Sequence, residues 1–239
     1  MTHIGQAIEH LPVTVRVDSV HLDGNLSLPT AATGVVIFAH GSGSSRHSPR
    51  NRYVADVLNE AALDTLLIDL LTADEQEVDL QTSQLRFDIP FLAYRLVAIT
   101  HWLREQPQMA GLKIGYFGAS TGAGAALVAA AKLPGMVRAV VSRGGRPDLA
   151  ADALERVEAA TLAIVGSNDP IVLELNRQAF ARMRCVKALE VMPGASHLFE
   201  EPGALEEVAK LARAWFTEEF TEELPSFRVA ADLAEWQTP

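Results

Sequence analysis

Ser120 stands at the centre of Gly118-Ala-Ser-Thr-Gly122, a G-x-S-x-G spacing whose chemistry is nucleophilic attack by a serine hydroxyl. A short apolar stretch, Ile114 to Phe117, runs into the motif, and a small-residue run, Ala123 to Ala131, leaves it. Strand, tight turn and helix form the context of a nucleophile elbow. Such a turn strains the backbone at the serine, and the flanking glycines remove side chains that would collide as strand and helix close. The hydroxyl is then held at a helix N-terminus, whose free N–H groups and dipole favour a developing negative charge.

A serine needs a base, and the base needs an orienting acid. In this kind of elbow the acid and then the histidine follow the serine along the chain, each just past a later strand. Asp169 closes Leu162-Ala-Ile-Val-Gly-Ser-Asn-Asp169, with Pro170 suited to open the next helix. His197 closes Glu190-Val-Met-Pro-Gly-Ala-Ser-His197, again after an apolar run. Ahead of the serine, His40-Gly41-Ser42-Gly43-Ser44 follows the Val35–Ala39 run. A Gly-rich turn there can aim a backbone N–H at a substrate oxygen. Ser42 is the chosen first donor, with Gly41 and Gly43 as alternatives and the Thr121 N–H as the second. His40 reads as ordering this turn on the substrate side. Arg143 and Arg146, in Ser142-Arg-Gly-Gly-Arg-Pro-Asp148, could clamp a carboxylate or phosphate, or could pair with Asp148 or a nearby acidic loop. Arg46, His47 and Arg50 line the entrance or are solvated.

Each assignment has a plainer rival. Asp169 could merely cap the helix that Pro170 begins, Asp148 is a second candidate acid, and His197 could be a hydrogen-bonded loop residue. Gly118-x-x-x-Gly122-x-Gly124 also fits the cofactor turn of an NADP-dependent short-chain dehydrogenase, with Arg143 facing a 2′-phosphate. Against that, the turn lies mid-chain, and none of Tyr53, Tyr94 or Tyr116 has a lysine four residues on. A third reading is a hydrolase fold kept as a non-catalytic binding module.

The elements that must position these residues follow from the apolar pattern. Alternation at Val13–Val17 and Val20–Leu28, with Asp23-Gly24 between their halves, predicts an antiparallel start within residues 1–30. Apolar runs then fall at Gly34–Ala39, Thr65–Leu70, Lys113–Phe117, Val137–Val141, Thr161–Val165 and Ala188–Met192. Helix patterns lie near Tyr53–Ala62, Ile89–Glu105, Gly122–Lys132, Ile171–Met183 and Ala204–Glu219. Continuous apolar strands alternating with amphipathic helices predict a mostly parallel α/β sheet of about eight strands, covered on both faces. Too few residues separate Val141 from Thr161 for a large helical cap. Leu71–Asp88 reads as a long polar connection, expected to wall an open site together with Ser42–Arg52. Residues 222–239 have no clear period and could be a docked tail, an unstructured end or a contact with another copy.

The chain resembles the dienelactone-hydrolase-like branch of the α/β-hydrolase superfamily. The resemblance covers roughly residues 30 to 220, through His-Gly-Ser-Gly-Ser, Gly-Ala-Ser-Thr-Gly, Gly-Ser-Asn-Asp and Gly-Ala-Ser-His-Leu-Phe-Glu-Glu-Pro-Gly. It looks most like members found alone or joined to phosphoribosyltransferase domains, without such a domain in this chain. Dienelactone hydrolases proper use a cysteine where Ser120 stands and an acidic residue at the position aligned with Gly41. The resemblance therefore implies an α/β-hydrolase fold and a serine esterase with the triad Ser120, Asp169 and His197, working without metal or cofactor.

Composition narrows the partners. With 239 residues and 49% hydrophobic content, the chain can bury about 70–75% of its unfolded surface in one core, and it reads as a single domain. A net charge of −10 argues against nucleic acid or an anionic membrane, leaving a small ester as the expected partner and self-association open. Residues 1–10 lack the features of a secretory signal, and no apolar run approaches the roughly 20 residues of a membrane span. The single cysteine, Cys185, reads as structural, and the expected location is cytoplasmic.

Overall fold

The structure, a computed structural model, describes residues 7–221. It opens with a hairpin of β1 (Ile8–Val17) and β2 (Val20–Pro29), in which Val17 pairs with Val20. The turn is Asp18-Ser19, with Asp18 at φ 52°. Asp23-Gly24, expected between strand halves, lies inside β2 opposite Thr14 and Val13. Pairing continues through it because its neighbours Leu22 and Leu26 keep the core-facing alternation.

The rest alternates strand and helix: β3 (Gly34–Ala39), α1 (Pro49–Glu60), β4 (Leu63–Ile68), α2 (Ala73–Thr82), α3 (Ile89–Arg104), β5 (Lys113–Ala119), α4 (Thr121–Lys132), β6 (Val137–Arg143), β7 (Ala160–Gly166), α5 (Pro170–Arg182), β8 (Lys187–Met192) and α6 (Ala204–Thr221). The eight strands form one sheet in the order β1-β2-β4-β3-β5-β6-β7-β8. Pairing is antiparallel from β1 to β2 and from β2 to β4, and parallel across the remainder. This is the α/β-hydrolase fold. Strands β3, β5, β6 and β7 read as continuous apolar runs because helices cover both of their faces. One face packs on α3 and α4, the other on α1 and α6.

Two connections differ in content from a plain loop. Between β6 and β7 a 3-10 segment (Pro147–Arg156), with Ala151 at φ 46°, takes the place of a helix, and no cap is inserted there. The stretch Leu71–Asp88, expected to be a loop, contains α2. Its apolar residues Val78 and Leu80 are exposed, so no buried stripe signals the helix. Polar groups hold it instead. The Thr72 hydroxyl accepts from Glu75 N (3.2 Å), and the Glu75 carboxylate accepts from Thr72 N (2.8 Å), a capping box. Glu75 also takes two 2.6 Å bonds from Arg95, and Asp79 accepts from Leu85 N, Arg86 N and Arg86 Nε.

Helix α6 seats close to the sheet. A Cβ on Gly115 of β5 would come within 2.6 Å of the Phe216 ring, and one on Gly34 of β3 within 2.2 Å of Phe220. The two bare positions form a notch that receives both rings. Residues 222–239, for which a tail was expected, lie outside the described residues, as do residues 1–6. No helix among the described residues is long and apolar enough to cross a membrane.

Candidate active site

The elbow forms where β5 meets α4. Ser120 takes φ 50° and ψ −120°, a backbone that a non-glycine residue holds only when its surroundings demand it. Three hydrogen bonds supply the demand: Ser120 N donates to Arg143 O (3.2 Å), and Ser120 O accepts from Ala123 N and Arg146 N (3.1 Å each). Both motif glycines are needed for close approach. A Cβ on Gly118 would lie 2.4 Å from the Ala123 Cα, and one on Gly122 would lie 2.2 Å from Ala39 O. The Thr121 N–H, in the first turn of α4, has no acceptor within the helix.

Asp169 and His197 come to the same edge. The Asp169 Oδ2 lies 2.6 Å from His197 Nδ1, and His197 Nε2 lies 3.3 Å from Ser120 Oγ. Asp169 occupies the N-cap position of α5, yet its side chain makes no capping bond; it turns to the histidine instead. The rival acid, Asp148, is held by Arg146 through two 2.8 Å bonds. The two loops are stitched to each other, which fixes the pair. Asn168 N donates to Ala195 O (3.0 Å), Asn168 Nδ2 to Gly194 O (2.8 Å), and Gly194 N to Ser167 Oγ (2.8 Å). Ser196 N donates to Glu201 Oε1 (3.0 Å) on the far side of the histidine.

The Gly-rich turn after β3 packs against the elbow. A Cβ on Gly41 would lie 3.2 Å from the Ser120 Cβ, and Gly43 has φ 70°. The Ser42 N–H donates to the Thr121 hydroxyl (2.9 Å), a side-chain contact the motif alone does not reveal. His40 pins the turn. Its Nε2 accepts from Leu70 N (3.0 Å), so the ring proton sits on Nδ1 and donates to Gly41 O (3.0 Å). Burial lowers the His40 pKa, outweighing the Gly41 bond and the Asp69 charge that raise it. Beside the turn lies a cleft walled by Leu71, Gln76, Leu80 and Leu92 as well as Thr121. Its α2 wall is a helix, where an extended polar loop was expected.

The two predicted arginines part company. Arg146 is engaged with Asp148, while Arg143 is buried beside the elbow without a carboxylate. Of the entrance residues, Arg46 pairs with Asp69 and Arg50 with Glu200. The alternative cofactor turn, Gly118–Gly124, follows the fifth strand of the chain. Among the described residues no cluster of three or more His, Cys, Asp or Glu side chains could hold a metal ion.

The sequence pattern of the Dienelactone hydrolase family matches residues 24–224. The chain belongs to this family. A crystal structure of a family member, the dienelactone hydrolase from Anabaena variabilis, superposes with a TM-score of 0.87 at 59% identity, covering 89% of this chain and 98% of that one. Two Mycobacterium tuberculosis relatives, from strains CDC 1551 and H37Rv and provisionally named phosphoribosyl transferases, are each 58% identical over 204 residues. The match takes in 85% of this chain and 45% of theirs, so the chain spans about half the length of these relatives. Est1E from Butyrivibrio proteoclasticus shares the fold at 16% identity, with a TM-score of 0.74 over 88% of this chain and 99% of that one. Within the family fold, the elbow, the acid loop and the histidine loop stand at the carboxyl edge of β5, β7 and β8, where open α/β sheets bind ligands.

Proposed function

We propose that the chain is a serine hydrolase that cleaves a small carboxylic ester, thioester or lactone through an acyl-enzyme. The observation that carries this reading is the unbroken line from Asp169 Oδ2 through His197 Nδ1 and Nε2 to Ser120 Oγ, at 2.6 and 3.3 Å. Asp169 holds the imidazole with its proton on Nδ1, leaving Nε2 to accept the serine proton as Oγ attacks the carbonyl carbon. The imidazolium so formed is stabilised by the Asp169 charge and then protonates the leaving group. In the second half His197 removes a proton from water, which attacks the acyl-enzyme and frees Ser120.

The oxyanion lies between the Thr121 N–H and the Ser42 N–H. Because the Ser42 N–H donates to the Thr121 hydroxyl when no substrate is bound, it turns from that oxygen to the substrate's during the reaction. One such donor is worth about 3–4 kcal/mol of transition-state stabilisation in enzymes where it has been removed. The reading includes a soluble small-molecule substrate and a cytoplasmic location.

A fluorophosphonate probe should label Ser120, and Ser120→Ala should abolish the labelling and lower kcat by roughly 10⁶-fold, since the three residues act as a unit. Turnover close to the parent in Ser120→Ala would defeat the mechanism.

A further inference from the structure

At the edge of the sheet away from Ser120, one carboxyl is buried without a partner. Asp64 is the second residue of β4, beside Val35 of β3, and is 3% exposed. Alternation along β4 sets its side chain on the face of Leu66 and Ile68, toward α3. Its Oδ1 is closed to solvent, and none of the described residues donates to the carboxyl. The other buried acids among them are engaged, Asp79 with Arg86 and Glu219 with Arg138. Burial raises the Asp64 pKa to about 7, and no charged group contributes to the shift. Strand β3 carries no charged side chain, those of β2 lie at its far end, and Arg104 of α3 gives Nη1 to Leu112 O (3.0 Å).

Asp64 lines a pocket of about 210 Å³. Leu28, Ala32 and Leu112 wall it with hydrocarbon; Asp64 is its one charged residue and Gln108 its one side-chain amide. At the rim, Ala31 holds φ 59°, a left-handed backbone that alanine keeps only under constraint. Thr33 N donates to Ala62 O (3.1 Å), which pins this rim to the start of the strand that carries Asp64. A carboxyl taken from water without a donor costs far more than a solvated one, and a donor entering through the pocket relieves that cost. A hard metal ion is a poor match. It asks for six or more oxygens, and the pocket presents one carboxyl and one amide among hydrocarbon. A primary ammonium on a short alkyl chain suits both parts, with its N–H donors on Asp64 and its methylenes on the leucines.

We propose that this pocket binds a small primary alkylamine in its ammonium form, through an ion pair with Asp64. The site is independent of the hydrolase reading. It lies at the amino edge of the parallel strands, where β4 begins, whereas Ser120, Asp169 and His197 stand at the carboxyl edge. The ammonium pairs with the carboxylate, so the proton that Asp64 holds below about pH 7 leaves as the ligand enters. No covalent bond to carbon is made or broken.

The test titrates the full chain with n-butylamine and with its uncharged counterpart n-butanol, by calorimetry and by amide NMR. Butylamine should saturate at millimolar concentration, with shifts centred on residues 28–32, 64 and 108–112, and butanol should bind about 10-fold more weakly or worse. At about pH 6, heats compared between two buffers of different ionisation enthalpy should show release of close to one proton; at about pH 8.5 they should show almost none. Asp64→Asn keeps the shape and removes the charge. It should weaken butylamine by roughly 30-fold, abolish the proton release and leave butanol unchanged. Failure of butylamine to saturate, equal binding of amine and alcohol, or shifts centred elsewhere would overturn the proposal, as would an Asp64→Asn chain that binds the amine as the parent does. All but the last are read on the parent, so they decide the matter even where Asp64→Asn does not fold. Labelling of Ser120 enters none of these readouts, and the two readings fail separately.

Discussion

Gly122 sets how near the elbow comes to the turn after β3. An alanine there would place its Cβ 2.2 Å from Ala39 O and 2.5 Å from His40 O, backbone atoms held by the sheet. Gly122→Ala should therefore destabilise the fold by about 3 kcal/mol or more, read as a lower urea midpoint, and should weaken fluorophosphonate labelling along with it. A variant as stable as the parent would show that the two loops can separate. At this scale the sequence was legible where residue type and order carry the role. Ser120, Asp169 and His197, which the structure brings together, could be singled out because an elbow of this kind sets a serine, an acid and a histidine in that order past its strands. The division between Arg143 and Arg146 was not legible. The two arginines stand three residues apart, one ending β6 and one in the connection after it, and only the fold shows that Asp148 takes Arg146 while the Arg143 Nε and Nη1 meet no acceptor. The bond from Ser42 to Thr121 spans 79 positions and has no local trace.

Among the elements, α2 is the one whose stability is most openly electrostatic. Burial alone would raise the Glu75 carboxyl. The Arg95 hydrogen bonds, the Thr72 bonds and the Arg95 charge outweigh it and hold the group below the usual glutamate range. A folded-state value below the unfolded one contributes stability that is present above the unfolded value and is lost as pH falls through the folded one. Thermal stability should thus decline on acidification below about pH 4.5. Glu75→Gln should flatten part of that decline and cost about 2–3 kcal/mol at neutral pH, because it leaves Arg95 buried with only Leu70 O and the Phe91 ring. An unchanged midpoint at both pH values would mean the pair is dispensable. The helix escaped an apolar-period reading because its faces bury almost nothing, but Thr72-Ala-Asp-Glu75 is a capping box in plain sight. The other helices were legible to within a few residues because each carries a buried stripe; α1 begins earlier than expected, at Pro49, because Ser48 caps it.

Across the molecule, protection follows the strand order. Every residue of β3 and β7 is buried, as is nearly every residue of β5 and β6, whereas the edge strand β8 has none. Amide hydrogen exchange should be slowest in β3, β5, β6 and β7, and markedly faster in β8 and the outer half of β1. Uniform protection across the sheet would contradict a stability gradient from centre to edge. The parallel order itself was foreseeable from apolar runs alternating with helices, while the exchange of β3 and β4 in the sheet was not, since no local signal states which strand lies next to which.

The notch that Gly34 and Gly115 leave for Phe220 and Phe216 bears on the order in which the parts can assemble, not only on how they hold together. The loop that carries His197 is anchored behind by the Asp169 loop and ahead by α6, the last element described. While the chain is being synthesised, Ser120 and Asp169 emerge and can take up their strands well before that helix exists. Two phenylalanines near the end of α6 then have to find a gap in strands made long before. The element that closes this face of the sheet is thus the last of the described elements to be made.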